Sequence, residues 1–296
     1  MRTEQRLTRA YENARVEPFD NDSKYVFFSD VHRGTGSLAD EFTRNRIIYL
    51  HALEDYYKKG FTYVEAGDGD ELWESLAFEK NKIAHFEVYK AMKDFFDDGR
   101  LIMLYGNHNI YLRHEKFVNA HYHSYYDEAQ SRYVDLFVGL VPCEALLLRH
   151  KSTGQEILTI HGHQGDISND QLWRLSMFSM KFWRLFHSVG IQNPSSPVKN
   201  VNKQLKIERN YKKWIAKNKH MLICGHTHRF RFPRAGELPY FNTGSCVYPA
   251  TITAIELEGG CVSLVRWQVF ANDEGFLRVT KIVLAGPTPV SEFDIR

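Results

Sequence analysis

Residues 61–73, FTYVEAGDGDELW, contain the pattern that decides the predicted fold. Phe61, Tyr63 and Val64 are β-favouring residues in a short apolar run that stops at Gly67, which is typical of a buried strand followed by a turn. Asp68 then stands at the carboxyl end of the strand, the edge at which open α/β sheets bind ligands. A buried carboxylate is costly unless it is paired or binds a metal, so this edge is a candidate metal site.

Four other apolar runs end in the same way. They are residues 25–29 (YVFFS) before DVH, 101–105 (LIMLY) before GNH, 157–160 (ILTI) before HGH, and 221–224 (MLIC) before GHTH. A single Asp or His after a strand is more often a turn residue, but five such ends in one chain indicate a shared metal site. Repulsion among Asp68, Asp70 and Glu71 is a second reason to expect a cation nearby. Oxygen and imidazole ligands without cysteine suit Mn, Fe or Zn and argue against a thiolate structural zinc site.

The series DVH, GDGDE, GNH, HGH and GHTH, each after a predicted strand, resembles the calcineurin-like metallophosphoesterase superfamily over about residues 24–250. The resemblance implies an α/β (α+β) fold, a four-layer double β-sandwich flanked by helices. The length of the chain and the lack of a long linker predict a single domain over residues 1–296. The resemblance also implies two divalent metals at one end of the sandwich. Such a pair of metals can clamp the attacking and leaving oxygens of a phosphoryl group. The implied activity is hydrolysis of phosphate mono- or diesters by attack of a metal-bound hydroxide.

The resemblance implies a role for each residue of the motifs. Asp30, His32 and His228 would hold the first metal, Asn107, His161 and His226 the second, and Asp68 would bridge them. His108 would protonate the leaving oxygen, and Glu71 would orient His108 as a general acid. From the residues alone, His108 could instead bind a loop, and Glu71 could open a helix, where an acid is favoured by the dipole.

Three residues beside the motifs have open roles. Arg33 could contact a phosphate group or be a solvated surface arginine. His161 is favoured over His163 as the ligand because it follows the strand directly, which leaves His163 to support a ligand or to reach the substrate. Asn109 departs from the acidic residue that often follows GNH in the superfamily, which puts in doubt how His108 is held.

Residues 167–220 form a predicted helical cap insertion between HGHQGD and GHTH. Its first part is apolar over more than one helical stripe, and residues 199–219 carry eight basic residues against one acid, Glu208. The insertion either completes the core and shows a charged face, or forms a lid over an acyl chain or a phosphorylated headgroup. GDxxE and an insertion at this place resemble the UDP-2,3-diacylglucosamine hydrolase branch of the superfamily. That branch has Arg at the position of His108 and HGD where this chain has HGH.

Composition and length bound the remaining possibilities. The chain has 296 residues, 43% of them hydrophobic and 25% charged, as in an ordinary soluble globular protein, and its net charge of +2 gives no general polyanion signal. The four widely spaced cysteines are expected to be buried free thiols. No apolar signal region and no apolar stretch of about 18 residues occurs, so the expectation is a cytoplasmic protein without a membrane span. The sequence does not indicate an oligomeric state.

Four functions are considered for these motifs. The leading one is a binuclear phosphoesterase with two divalent ions, Mn²⁺, Fe²⁺ or Zn²⁺, acting on a phosphorylated small-molecule or lipid-like substrate. The alternatives are a lipid-linked pyrophosphate hydrolase of the UDP-2,3-diacylglucosamine hydrolase type and a nuclease that binds nucleic acid through residues 199–219. A non-catalytic binding module would lack ligands, and every implied ligand is present.

Local patterns also predict elements away from the site. Helices are predicted over residues 1–15, 41–59 and 71–98, and a loop over 18–23. Strands over 251–257, 261–270 and 276–284, separated by Gly-containing turns, are predicted to complete one sheet.

Overall fold

The computed structural model describes residues 2–73, 78–127, 130–178 and 201–296, and two β-sheets form its centre. The strands are β1 (Arg15–Phe19), β2 (Tyr25–Phe28), β3 (Thr62–Ala66), β4 (Leu101–Leu104), β5 (Ser124–Asp127), β6 (Arg132–Asp135), β7 (Ala145–His150), β8 (Glu156–Ile160), β9 (Met221–Cys224), β10 (Tyr240–Asn242), β11 (Thr251–Glu258), β12 (Cys261–Ala271) and β13 (Leu277–Pro289). One sheet has the order β1-β7-β8-β9-β10 and the other β13-β12-β11-β2-β3-β4, while β5 and β6 pair separately.

Helices connect and cover these strands. They are α1 (Thr3–Glu12), α2 (Arg46–Lys58), α3 (Phe78–Ala84), α4 (Phe86–Asp97), α5 (Glu115–His121) and α6 (Val201–Asn218). Short 3-10 segments lie at Glu41–Asn45, Ile110–Arg113 and Val290–Phe293, and a π-helical turn at Ile167–Gln171. Residues 173–178 are also helical.

The two sheets pack face to face and carry helices on their outer faces. Phe27 and Val64 of the six-stranded sheet share a buried apolar cluster with Leu146 and Ile223 of the five-stranded sheet. On the other side of the six-stranded sheet, a second cluster contains buried residues of α2 and α4. On the other side of the five-stranded sheet, a third cluster contains buried residues of α1 and α6. This order of helix, sheet, sheet and helix confirms the predicted α+β sandwich flanked by helices.

The strands that lead to the candidate ligands are buried along their whole length. All residues of β2, β4 and β9 are buried, as expected for parallel strands covered on both faces. β2, β3 and β4 run parallel to one another, and so do β8 and β9, so within each sheet the loops after these strands leave from one edge. The continuous apolar runs of the sequence are therefore the signature of the strands that position the site.

Two local predictions away from the site were wrong. Residues 15–19, assigned to the end of a helix and a loop, form β1, an edge strand where the missing N–H of Pro18 is tolerated. The helix predicted over 71–98 is interrupted: residues 71–73 are not helical, residues 74–77 lie outside the described range, and α3 and α4 are separated at His85. The His85 imidazole lies 2.7 Å from the Asp40 carboxylate, a tertiary contact that the local pattern does not show.

The basic half of the insertion forms one of the outer layers. The inner face of α6 buries Ile207, Tyr211, Trp214 and Ile215 against α1 and the five-stranded sheet. The basic side chains at 206, 209, 213 and 217 of α6 are exposed. α6 therefore completes the core on this side and shows a charged face to solvent. The apolar part of the predicted cap begins at Leu172, and residues 179–200, which contain its second half, lie outside the described residues.

All four cysteines are free thiols, as predicted; Cys224 and Cys246 are buried, and Cys143 and Cys261 are half-buried. Within the part of the chain that the structure describes, no helix has the length and apolar character needed to cross a bilayer.

Candidate metal centre

The backbone at the strand ends is strained where the candidate ligands lie. Five of the seven candidate ligands adopt the left-handed backbone region, with φ from +51° to +66°: Asp30, His32, Asp68, His226 and His228. Residues with a Cβ rarely adopt this region, and each instance costs on the order of 1–3 kcal/mol. Such strain is retained where the surrounding structure enforces it, and it clusters at functional sites.

Glycines beside the ligands allow the loops to approach one another closely. A Cβ added at Gly67 would lie 2.6 Å from the His161 side chain, and one at Gly106 would lie 2.7 Å from Cδ2 of the same ring. A Cβ at Gly225 would meet the Ser29 side chain at less than 3.0 Å. Gly67, Gly106 and Gly225 are thus required by the close packing of the ligand loops.

Asp30, His32 and His228 lie close together and form the first group of candidate ligands. His228 Nε2 lies 3.0 Å from Asp30 Oδ1 and 3.3 Å from His32 Nε2. The other oxygen, Asp30 Oδ2, accepts the backbone N–H of His226 at 2.8 Å and the Ser29 hydroxyl. Two metal–nitrogen bonds of about 2.0–2.1 Å at a tetrahedral angle place the nitrogens about 3.3 Å apart, so this group matches a metal ion.

Asp68, His161 and His226 form the second group. His161 Nδ1 donates to the Ala66 carbonyl at 3.1 Å, which leaves Nε2 as the nitrogen with a free lone pair. That Nε2 lies 2.9 Å from Asp68 Oδ2 in an orientation that makes no hydrogen bond. The backbone N–H of His108 donates to Asp68 Oδ1 at 2.8 Å, which brings the GNH loop containing Asn107 to this group.

Four buried atoms of the candidate ligands make no hydrogen bond within the described ranges. They are Asp30 Oδ1, Asn107 Oδ1, His161 Nε2 and His228 Nδ1. A buried polar atom without a partner costs about 1–3 kcal/mol, so four of them in one place need a physical cause. Each belongs to a residue that the sequence proposed as a ligand, and carboxylate, amide and imidazole donors together suit divalent Mn, Fe or Zn. These residues therefore fit divalent metal ions.

Charge in the site favours ionised carboxylates. Burial by itself would raise the pKa of Asp30 and Asp68. The imidazoles of His228 and His161 around Asp30, and of His161 and His108 around Asp68, outweigh burial and hold both pKa values below the usual range. Both carboxylates are thus negatively charged at neutral pH and available to a cation.

Glu71 joins the first ligand group to His108. Its Oε2 accepts hydrogen bonds from His108 Nδ1 at 2.6 Å and from His32 Nδ1 at 3.1 Å. Burial would raise the pKa of Glu71, but His108 and His32 lower it. The structure places Glu71 beside His108 as the resemblance implied, and the bond to His32 is an additional contact that the sequence did not predict.

Asn109 supports the ligand loops rather than His108. Its Oδ1 accepts the backbone N–H of Gly106 at 2.6 Å and of Asp68 at 3.3 Å. Asn109 stands where the superfamily often has an acidic residue, and here the carboxylate that holds His108 is that of Glu71.

Arg33 is a structural residue, so the prediction of a phosphate contact was wrong, as was the alternative of a solvated arginine. Its side chain is fully buried, with Nη1 and Nη2 bonded to Glu65 at 2.6 and 2.9 Å and Nε bonded to Asp70 at 2.8 Å. Asp70 is also bound by the hydroxyls of Tyr89 and Tyr122. Arg33 and Asp70 form a structural ion-pair cluster behind the ligands.

His163 lies inside the protein next to the ligands. It is 1% exposed, and its ring centroid is 5.5 Å from that of His161. Burial and the neighbouring imidazoles of His161 and His226 hold the pKa of His163 well below its usual range, so it is neutral. Of its two predicted roles, this placement favours support of a ligand over contact with substrate.

Three residues that the sequence analysis did not propose also reach the site. Asp166 Oδ2 lies 3.4 Å from His226 Nε2, and the Tyr211 hydroxyl of α6 donates to the carbonyls of Gly162 and Gln164. The Trp73 ring stacks on His108 with centroids 4.4 Å apart. The acidic residue closing HGHQGD and the Trp after GDGDEL were the available sequence signals, whereas the contact of Tyr211 depends on tertiary packing.

Comparisons with known proteins give a likeness in fold at low similarity. No protein-family model matches the sequence, and no curated protein matches it. Among solved structures, vacuolar protein sorting 29 from Cryptosporidium parvum is 12% identical, with 89% of this chain and 98% of that chain covered and a TM-score of 0.35. A cold-active protein-tyrosine phosphatase from a Shewanella species is 15% identical, with 90% and 83% covered and a TM-score of 0.40. A putative 5'-nucleotidase from Staphylococcus aureus is 14% identical, with 90% and 55% covered and a TM-score of 0.36. Likeness at this level carries no conclusion about activity.

Proposed function

We propose that this protein is a binuclear metal-dependent phosphoesterase that hydrolyses phosphate mono- or diesters. The observation that carries the proposal is the pairing of two buried ligand groups at one end of the sandwich, with an imidazole held by a carboxylate beside them. Either feature alone is compatible with a purely structural role. Together they supply the two requirements of phosphoester hydrolysis, which are stabilisation of charge on the phosphoryl oxygens and protonation of the leaving oxygen.

The first part of the proposal concerns which residues hold the metals. Asp30, His32 and His228 would hold one ion, Asn107, His161 and His226 would hold the other, and Asp68 would be a ligand shared by both. A pair of divalent ions would supply Lewis-acid stabilisation of the phosphoryl group and would lower the pKa of water.

The protein prepares these ligands by occupying their other polar atoms. The Ser29 hydroxyl and the His226 backbone N–H bind Asp30 Oδ2, so Oδ1 is the oxygen left for a cation. The Ala66 carbonyl accepts a hydrogen bond from Nδ1 of His161, and the Glu71 carboxylate accepts one from Nδ1 of His32. Both rings are thereby held in the tautomer whose Nε2 can bind a metal.

His108 is the proposed general acid. Because Glu71 binds its Nδ1, Nε2 is the nitrogen that can carry a proton to the leaving oxygen. The His108 side chain, 15% exposed, can be reached from outside the protein. This assigns proton delivery to His108 and orientation of its ring to Glu71.

The test is hydrolysis of p-nitrophenyl phosphate and bis-p-nitrophenyl phosphate by metal-stripped protein with Mn²⁺, Fe²⁺, Zn²⁺ or Mg²⁺ added back. We expect turnover that depends on added metal and is lost in Asp68→Ala. Glu79→Gln, which removes a half-exposed carboxylate on α3, is the matched control and should keep full activity. The preferred ester would separate a phosphatase from a phosphodiesterase.

Two outcomes would count against this proposal. Turnover that persists unchanged in Asp68→Ala would show that the site described here is not responsible. If the protein binds metal but cleaves neither ester, the proposal that it hydrolyses simple phosphate esters would be wrong. Lipid-linked pyrophosphates would then be the next substrates to test.

A further inference from the structure

We propose that Trp73 is a positioning residue that holds the His108 ring in the orientation needed to protonate the leaving oxygen. The inference rests on the proposed function, because it assigns the support of the general acid at the same site. Trp73 is 2% exposed, so it acts through His108 rather than by contact with a substrate.

Three contacts fix the His108 ring in different directions. The Trp73 ring lies against its face, with centroids 4.4 Å apart and planes at 21°. The His32 ring meets it nearly at a right angle, with centroids 4.7 Å apart and planes at 86°. Glu71 binds Nδ1 at 2.6 Å. A single hydrogen bond leaves an imidazole free to tilt about the bond, and a flat ring against its face removes that freedom.

The backbone around Trp73 joins the same two loops. The N–H of Trp73 donates to Glu71 Oε1 at 2.9 Å, so Trp73 holds the carboxylate that holds His108. The N–H of Leu72 donates to the His108 carbonyl at 3.3 Å. Side chain and backbone of this short segment therefore act on the general acid together, through its ring, its hydrogen-bond partner and its main chain.

A tryptophan is a costly choice if the position only needs to be filled. Its indole Nε1 is buried and makes no hydrogen bond to any residue that the structure describes. An unpaired buried N–H destabilises the fold, and a leucine would fill space without that penalty. The broad aromatic face accounts for the choice, since it packs flat on the His108 imidazole.

The test compares two esters that differ in their need for an acid. Phenol is a poor leaving group that needs a proton, whereas p-nitrophenol leaves without one. The esters are prepared in the form, monoester or diester, that the wild type cleaves. For Trp73→Leu we expect kcat to fall about tenfold or more with the phenyl ester, part of the ~10²–10⁴-fold effect of a general acid. With the p-nitrophenyl ester, the change should be less than about twofold.

Two further variants keep the outcome decisive. His108→Ala gives the loss of kcat that follows from removing the general acid completely. The double variant His108→Ala/Trp73→Leu should have the same kcat as His108→Ala with both esters, because the two residues act as one unit. Trp73→Phe keeps an aromatic face, so it should show the same preference for the p-nitrophenyl ester with a smaller loss. Trp73→Phe also serves if Trp73→Leu does not fold.

Equal losses with both esters, or independent losses of Trp73→Leu and His108→Ala, would overturn the inference and leave the proposed function in place. Wild-type protein that cleaves neither ester would overturn the proposed function and this inference with it.

Discussion

Two clusters of buried charged residues lie side by side in this protein, and they differ in whether each polar atom has a partner within the protein. In the arginine cluster, defined by Arg33, Glu65 and Asp70, every guanidinium bond ends on a carboxylate oxygen 2.6–2.9 Å away. In the ligand cluster, defined by the seven candidate metal ligands, four buried atoms have no hydrogen-bond partner in the described ranges. The arginine cluster is complete in the protein alone, whereas the ligand cluster has buried polar atoms left over for the cations of the proposed centre.

The largest effect is expected from breaking the arginine cluster. Arg33→Met leaves the carboxylates of Glu65 and Asp70 buried without a counter-charge, which should lower the free energy of unfolding by about 3–5 kcal/mol. Urea unfolding of the metal-free protein measures it. Lys59→Met is the control, because the Lys59–Asp55 pair is exposed and should contribute about 1 kcal/mol or less. A loss no larger than that of the control would show that the arginine cluster is not a stabilising unit.

The ligand cluster should respond in the opposite sense, by gaining stability when cations are supplied. At an ion concentration about 100 times the dissociation constant, each bound ion should add about 2.7 kcal/mol to the free energy of unfolding. The measurement is urea unfolding with and without Zn²⁺ or Mn²⁺ after chelation. Asp68→Asn should lose most of the gain, and an equal gain in this variant would contradict the bridging role of Asp68.

A smaller effect is expected at the link between the first ligand group and the general acid. Glu71→Gln removes the negative charge of the side chain that accepts hydrogen bonds from Nδ1 of His32 and of His108. The affinity of the first ligand group for its metal should therefore fall about 10–100-fold. Calorimetric titration of metal-free protein measures this affinity, with Glu79→Gln as the control. Unchanged affinity would mean that Glu71 serves His108 alone.

A dependence on pH is expected from competition between protons and metals. Burial by itself would lower the pKa of His32 and His161, but Asp30 and Glu71 around His32, and Asp68 and Asp30 around His161, raise it. A metal must displace these protons, so its affinity should fall as pH falls, by about tenfold per pH unit for each proton displaced. Titrations at pH 6, 7 and 8 check this. Affinity that does not change with pH would exclude proton displacement.

The sequence predicted the strands and their ligand ends because both signals are local. A strand buried on both faces reads as a continuous apolar run, and the ligand follows it within a few residues, as Asp30 follows β2 and Asp68 follows β3. The gathering of these ends at one edge follows from parallel pairing, for which the register of β2, β3 and β4 is the direct observation.

The two clusters show where local patterns fail. Arg33 and Asp70 stand beside ligands in the same motifs, yet their partners are Glu65 inside β3 and tyrosines of distant segments. No local pattern distinguishes the ligand Asp68 from the structural Asp70. β1 was missed for a related reason: an exposed edge strand of polar residues with a proline has no apolar run, and only its pairing with β7 defines it.

The most direct test of the difference between the clusters is the number of metal ions that each chain binds. Metal-stripped protein is dialysed against Mn²⁺ or Zn²⁺, and the bound metal is counted by elemental analysis in wild type, Asp68→Ala and the control Glu79→Gln. We predict two ions per chain in wild type and control, and fewer than two in Asp68→Ala. Wild-type protein that binds no metal would contradict the central claim that the unpartnered buried ligands form a binuclear centre.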